Sequence, residues 1–297
     1  MKKNRPLSLS IDDIRNHTEL ITNAEFRSIQ PGIAMVISFA RMESVLFRIG
    51  QPYRTKESRI IRVPKGTAKI SINLVEYEIK EQMFAVTPPN SLIELLDLSD
   101  DYDFQVIVLE DGFLPAVQSS DLTDLYGQYG IRIQLTDEEW EHTGIFFSLL
   151  WKSMQSSPFR REEVQHLALA LLYNIRYIHD REQTHVSSRP SRQEEVFHRF
   201  IALVNEHSKR ERNISFYAGK LCLTAHYLST LIREASGQTV MQWINQAVIL
   251  EAKVLLKHSD LLVFQISDEL SFPNPSFFSK FFKRMTGMTP AEYQKEA

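Results

Sequence analysis

The chain carries one cysteine in 297 residues. A lone thiol excludes an intramolecular disulfide and any zinc site built on cysteines. Cys222 is expected to be a small, partly buried apolar residue at a turn. Histidine is missing where a metal would need it. The strand-rich stretch Ala34–Leu109 has none, with His17 before it and His142 after. A carboxylate-only iron or zinc site is a poor match to the ligand preferences of those metals. His166 and His179 stand 13 positions apart in one helical stretch, too far to share a metal. No Gly-rich phosphate loop, Ser-His-Asp order or paired zinc spacing occurs. The sequence therefore offers no catalytic constellation, calls for no cofactor and reads as no enzyme. Apolar runs of membrane length are also lacking. Met1-Lys2-Lys3 leads into Asn4, Arg5 and Pro6 rather than an apolar core, so a cytoplasmic location without a membrane partner is expected. Net charge is small, −3, but uneven. From Arg192 onward there are 13 Lys+Arg against 11 Asp+Glu, and before it 21 against 26.

The length fits about two domains, each long enough to bury a core. Residues 1–30 are polar and weakly patterned. Short strand-like runs follow at Ala34–Phe39, Ser44–Arg48, Arg59–Val63, Ala68–Leu74, Glu76–Ile79, Met83–Val86, Leu92–Leu96 and Phe104–Leu109. Turn formers such as Gly50-Gln51-Pro52 and Pro64-Lys65-Gly66 separate them, which predicts a β-sandwich or jelly roll. Two helices come next. Thr136-Asp137-Glu138-Glu139 is a capping-box pattern ahead of Trp140, Phe147, Leu150, Trp151 and Met154. Arg161–Asp180 sets Val164, Leu167, Ala168, Leu171, Ile175 and Ile178 on one face. Leu169, Leu172, Tyr173 and Tyr177 widen that face, and the excess reads as a dimer contact. Glu182–Ser191 lacks apolar periodicity and reads as a linker. A helix over Glu194–His207 precedes the last region.

One pattern occurs twice in Ile214–Thr289, at an offset of 50 residues. The first copy is Tyr227-Leu228-Ser229-Thr230-Leu231-Ile232-Arg233-Glu234-Ala235-Ser236-Gly237-Gln238-Thr239. The second is Phe277-Phe278-Ser279-Lys280-Phe281-Phe282-Lys283-Arg284-Met285-Thr286-Gly287-Met288-Thr289. Leu228, Leu231, Ile232 and Ala235 make one helical apolar face, repeated by Phe278, Phe281, Phe282 and Met285. Gly237 and Gly287 stand where each helix should end in a left-handed turn. Shorter helices over Ser215–Leu221 and Phe264–Leu270 precede them across the turns Cys222–Thr224 and Ser271–Pro273. Two short helices joined by a tight turn form a helix-turn-helix, whose second helix can enter a DNA major groove. Val240–Lys257 between the pairs is apolar nearly all round and should be a buried rod. It would place the two second helices in successive major grooves about 34 Å apart.

The run Ile266…Phe272-Pro273-Asn274-Pro275-Ser276-Phe277-Phe278-Ser279-Lys280-Phe281-Phe282-Lys283-Arg284…Gly287-Met288-Thr289-Pro290…Tyr293 resembles the DNA-binding domain of the AraC/XylS transcriptional regulators. The resemblance covers Ile214–Tyr293. It departs at Ser271, where the family usually has glycine, and at Val248, where it usually has arginine. The β-rich half resembles the cupin-like effector domain of the same family by order and pattern. The implied architecture is α+β. A cupin-like sensing domain spans 1–134, a helical dimerisation segment 135–181, a linker 182–192, and a domain with two helix-turn-helix motifs 193–297. The resemblance also implies a homodimer and activation through contact with RNA polymerase.

Candidate DNA-binding residues, from the helical phase and the first turns, are Ala225, His226, Ser229, Thr230, Arg233, Asn274, Ser276, Ser279, Lys280 and Lys283. Arg233 and Lys283 match between the copies and could bond guanine edges or phosphates. Asn274 and Ser276 are alternatively helix caps. Candidate lining of an effector pocket comes from inward strand positions: Phe39, Phe47, Ile61, Ile72, Tyr77 and Phe84. The reading is a double-stranded-DNA regulator that answers a small molecule. The alternative is a DNA-tethered module whose amino-terminal half binds a protein partner and no effector.

Overall fold

The computed structural model describes residues 10–16, 23–42, 48–115, 130–185 and 192–295. The expectations for Phe47 and for most of Ser44–Arg48 lie outside these residues, as do those for residues 186–191 of the linker. The elements in order are α1 (Ile11–Asn16), β1 (Arg27–Gln30), β2 (Ile33–Val36), α2 (Phe39–Met42), β3 (Pro52–Arg54), β4 (Ser58–Lys65), β5 (Thr67–Ile72), β6 (Val75–Lys80), β7 (Met83–Thr87), β8 (Leu92–Leu98), β9 (Asp103–Leu109) and β10 (Ile131–Gln134). The helical remainder is α3 (Asp137–Met154), α4 (Arg161–His185), α5 (Arg192–His207), α6 (Ile214–Lys220), α7 (Ala225–Ser236), α8 (Val240–His258), α9 (Val263–Glu269), α10 (Pro275–Thr286) and α11 (Pro290–Lys295).

The strands form two antiparallel sheets, ordered β1-β2-β9-β4-β7-β10 and β3-β8-β5-β6. Val63, Ala68, Ile79 and Leu95 meet between them, as do Ala34, Val36, Tyr53, Val106 and Val108. The opposite face of the larger sheet, with Ile60, Phe84 and Ile107, packs on α3 and α4. Alternation along β4 produces this division, because neighbouring side chains leave a strand on opposite faces. Three strands were not expected. β1, β3 and β10 are three or four residues long, too short for a clear alternation. Pro52 begins β3, an edge strand, where the missing N–H costs no ladder bond. The run expected to reach Phe39 stops at Val36, and Phe39 begins α2, stacked on Phe104 at 4.5 Å between centroids.

Thr136 caps α3 with the reciprocal Glu139 capping box that the sequence announces. α4 continues to His185, past the expected end at Asp180 and into the expected linker. Leu169 and Leu172 are buried within the chain at 6% and 1% exposure. Their place on a dimer contact is therefore corrected: α3 and a sheet cover α4 on more sides than a single stripe would need. Among the described residues no helix is long and apolar enough to cross a membrane.

Candidate nucleic-acid interface

The two second helices, α7 and α10, are built alike from local signals. Thr224 Oγ1 accepts from Tyr227 N at 3.2 Å, and Asn274 Oδ1 from Phe277 N at 3.1 Å. Each side chain satisfies one amide that a helix start would leave open. Gly237 and Gly287 end the helices at φ 71° and 82°. A Cβ at either glycine would meet nothing within 4 Å, so the backbone angle, not space, asks for glycine there. In both preceding turns a non-glycine residue takes the left-handed position: Cys222 at φ 57° and Ser271 at φ 54°. The bonds from Leu223 N to Ala218 O and from Phe272 N to Ser267 O, both 2.9 Å, close the two turns in the same way. Ser271 thus holds the conformation that glycine would take more cheaply. Cys222 is exposed, not partly buried as expected, since its position lies outside the helix end.

The buried stripes are little more than one turn long. Leu228, Leu231 and Ile232 are at 0–2% exposure, and Phe278 and Phe282 at 0%. Ala235 and Met285, expected to extend them, are exposed because the final turn runs out toward the glycine and solvent. Opposite the stripes His226, Thr230, Arg233, Ser276, Lys280 and Lys283 are exposed, and Ser229 and Ser279 half-buried. The hydroxyls of Ser229 and Thr230 donate back to the carbonyls of Ala225 and His226 at 2.9 and 3.2 Å. Their lone pairs remain for an incoming donor. Asn274 is exposed and already serves as a cap. Ala225 is half-buried and packs on the core of the first pair.

Tyr227 and Phe277, absent from the candidate DNA-binding residues, occupy the same position in the two copies and are 46% and 60% exposed, as expected for Phe277 from its place off the apolar stripe. The signal was present. Each opens an apolar pair of which only the second member falls on the core stripe. Flat aromatic faces beside exposed cations suit apolar contact with thymine methyls or sugars.

α8 holds the pairs together. Trp243, Ile244, Ala247 and Leu250 pack with the first pair, and Ile249, Ala252 and Leu256 with the second. Val248 is fully buried. The same helix meets the β-half. Glu251, 2% exposed, pairs with Arg54 of β3 and with Lys209 Nζ at 3.2 Å. Burial of Arg54 pulls its guanidinium below the usual range. Lys253 Nζ lies 3.5 Å from Glu94 Oε1, and His258 Nε2 3.1 Å from Pro52 O. Leu74 and Leu92 enter the core of the first pair, and Asn205 Nδ2 donates to Asn73 O at 3.2 Å.

The expected effector residues do not line one cavity. Phe39, Ile61 and Tyr77 lie between the sheets, with Ile61 touching both inter-sheet clusters. Ile72 is buried at 3%. Phe84 is on the other face of its sheet, edge-on to Phe147 at 6.2 Å. Its strand alternates so that Phe84 and Val86 face the helices.

Two capped, glycine-terminated helices on one buried rod define a helix-turn-helix domain. The C-terminal part of the chain is a helix-turn-helix domain of the AraC/XylS type. The family model described as a helix-turn-helix domain matches residues 217–296. The chain is 29% identical over 146 residues to the HTH-type transcriptional activator RhaR of Escherichia coli, covering 48% of this chain and 50% of RhaR. It thus spans about half the length of the curated relatives it matches. ToxT from Vibrio cholerae is similar at 17% identity and TM-score 0.37, over 89% of this chain and 95% of that one. The DNA-binding domain of AdpA in complex with a target DNA is similar at 23% identity and TM-score 0.32, over 36% and 91%. At such scores neither structural likeness carries an argument.

Proposed function

We propose that the protein is a sequence-specific DNA-binding transcriptional regulator. The observation that supports it most is the matched exposure of polar faces on α7 and α10 while the helix between them is buried. The two helices enter successive major grooves about 34 Å apart on one side of the duplex. Arg233 and Lys283 reach bases or phosphates, His226, Ser229, Thr230, Ser276 and Ser279 line the groove, and Lys280 neutralises phosphate. The chain works in the cytoplasm as a homodimer, its copies meeting through the exposed faces of α3 and α4, where Tyr173 and Tyr177 are 38% and 68% exposed. The division into a cupin-like sensing part over 1–134, a dimerisation segment over 135–181, a linker over 182–192 and a DNA-binding part over 193–297 belongs to the same reading. A small molecule on the β-half biases the arrangement of the helix pairs, which requires unequal affinity for two arrangements. Activation proceeds through contact with RNA polymerase.

The test is to sequence the DNA fragments that the purified protein retains, with and without cell extract. The expected result is one motif with two half-sites a helical turn apart. Retention of fragments without a shared motif would overturn the regulator reading. A motif indifferent to extract and to every metabolite in a thermal-shift screen would favour the DNA-tethered interaction module.

A further inference from the structure

Arg212 stands in the turn between α5 and α6 and reaches from the first helix pair to the second. Its Cζ lies 3.9 Å from the centre of the Phe272 ring, and its Nη2 donates to the carbonyl of Leu270. Leu270 caps the C-terminal end of α9, where open carbonyls gather partial negative charge and favour a cation. Phe272 belongs to the turn that follows. Its ring packs on Phe278 and on Phe281 of α10, each at 5.2 Å between centroids. One side chain of the first pair thus meets the end of α9 and, through a single ring, the core face of α10.

The backbone that presents Arg212 is held on both sides. Tyr217, fully buried in α6, donates its hydroxyl to the carbonyl of Glu211 at 2.7 Å. Asn213 Oδ1 accepts from Ser215 N at 2.9 Å as the cap of α6. Arg212 itself is half-buried, and desolvation draws its guanidinium below the usual range. It has left water for these contacts. The repeat supplies a contrast. The turn of the first pair has Leu223 where the second has Phe272, and the second turn is one residue longer, with Pro273 added. A guanidinium stacks on a flat ring, and leucine offers none.

α8 already joins the pairs, packing one part of its length on each. A helix between two bodies fixes their separation better than their mutual rotation, because long helices curve. A second attachment away from the helix axis removes that rotation. We propose that Arg212 is a positioning residue that locks the second reading helix relative to the first, so that the protein accepts one spacing of half-sites. The proposal rests on the regulator reading for its consequence at DNA and not for the lock itself.

Two variants test it in the full chain. Arg212→Ala removes the guanidinium. Phe272→Leu gives the second turn the residue of the first and keeps the position apolar, so it decides the matter if Arg212→Ala fails to fold. Without DNA, nitroxide labels on Cys222 and on Ser276→Cys, both exposed, report the distance between the pairs by pulsed electron paramagnetic resonance. The distribution should be narrow with Arg212 and Phe272 in place and broader in either variant. On DNA carrying the retained motif, one base pair added between the half-sites shifts them by about 3.4 Å and turns them by about 35°. The unaltered protein should lose roughly tenfold or more in affinity, since its second helix no longer gains from the first being bound. The variants should lose roughly threefold or less on the same insertion, and their affinity for a DNA with the first half-site alone should be unchanged. Equal insertion penalties with and without the lock, no penalty in the unaltered protein, or distances unaltered in both variants would overturn the proposal. Weakened binding to the single half-site would do so too, by making Arg212 a support of the first pair alone. If no shared motif is retained, the regulator reading fails by itself and the labels still decide the lock.

Discussion

The first helix pair packs on α5, on the front of α8 and on Leu74 and Leu92 of the β-half, while the second packs on the rear of α8 and on Tyr293 of α11. Around the first, α8 is also tied to the β-half by Glu251, Lys253 and His258. The second pair instead leaves Leu262, Phe264, Phe277, Met285 and Met288 exposed. A repeated pattern therefore occupies two unequal settings. The first pair is braced by the β-half, and any change there reaches it directly. The second feels such a change through α8 and through Arg212, which donates to Leu270 O and lies 3.9 Å from the centre of the Phe272 ring; among the described residues its core cluster holds no β-half side chain. A helix pair free on one side is the better placed to adjust to DNA.

The largest effect expected from upsetting this inequality is in the second core. Phe278→Ala should cost about 3–5 kcal/mol in urea unfolding, because a fully buried ring leaves a cavity. The loss should appear as increased hydrogen exchange in α9 to α11, with α7 protected. Uniform loss of protection would show that the pairs are one cooperative unit.

Glu251→Ala attacks the brace of the first pair. It leaves Arg54 and Lys209 without their shared carboxylate, a change worth on the order of 3 kcal/mol when a buried partner is removed. Exchange should rise in α7 and β3 and not in α10. A stability unchanged from wild type would mean that the β-half does not brace α8 in solution.

Arg233→Ala and Lys280→Ala separate the two pairs at the DNA. The first should cost roughly 1–3 kcal/mol at a cognate site and relax specificity in one half-site. The second should weaken all sequences alike and reduce the salt slope by about one. Identical salt slopes for both variants would show that Arg233 touches phosphate only.

The smallest effect is a gain. Ser271→Gly should stabilise the second pair by about 0.5–1 kcal/mol, as the left-handed angle at φ 54° no longer opposes a Cβ. A melting temperature at or below wild type would show that the Ser271 side chain contributes more than its backbone strain costs.

Much of the C-terminal region was legible. The cap at Asn274, the glycines at 237 and 287, and the stripes through Leu228 and Phe278 are signals spread over a few neighbouring residues. The β-half was legible as alternation but not as faces. Nothing along Met83–Val86 tells whether Phe84 meets the other sheet or a helix. Leu169 and Leu172 misled for the same reason: a broad apolar face looks alike whether a second subunit or a sheet covers it. Tyr227 hid inside an apolar pair.

Where α7 and α10 begin and end, and the centre of the stripe each one buries, follow from the order of residues alone, since hydrogen bonding and periodicity act within a turn or two. Packing decided that Glu251 is buried against Arg54, 197 residues away, and that Arg212 meets the carbonyl of Leu270, 58 residues away. A charged residue carries no mark of its burial along the chain. Its desolvation, and the partner that offsets it or fails to, exist only once distant segments have packed.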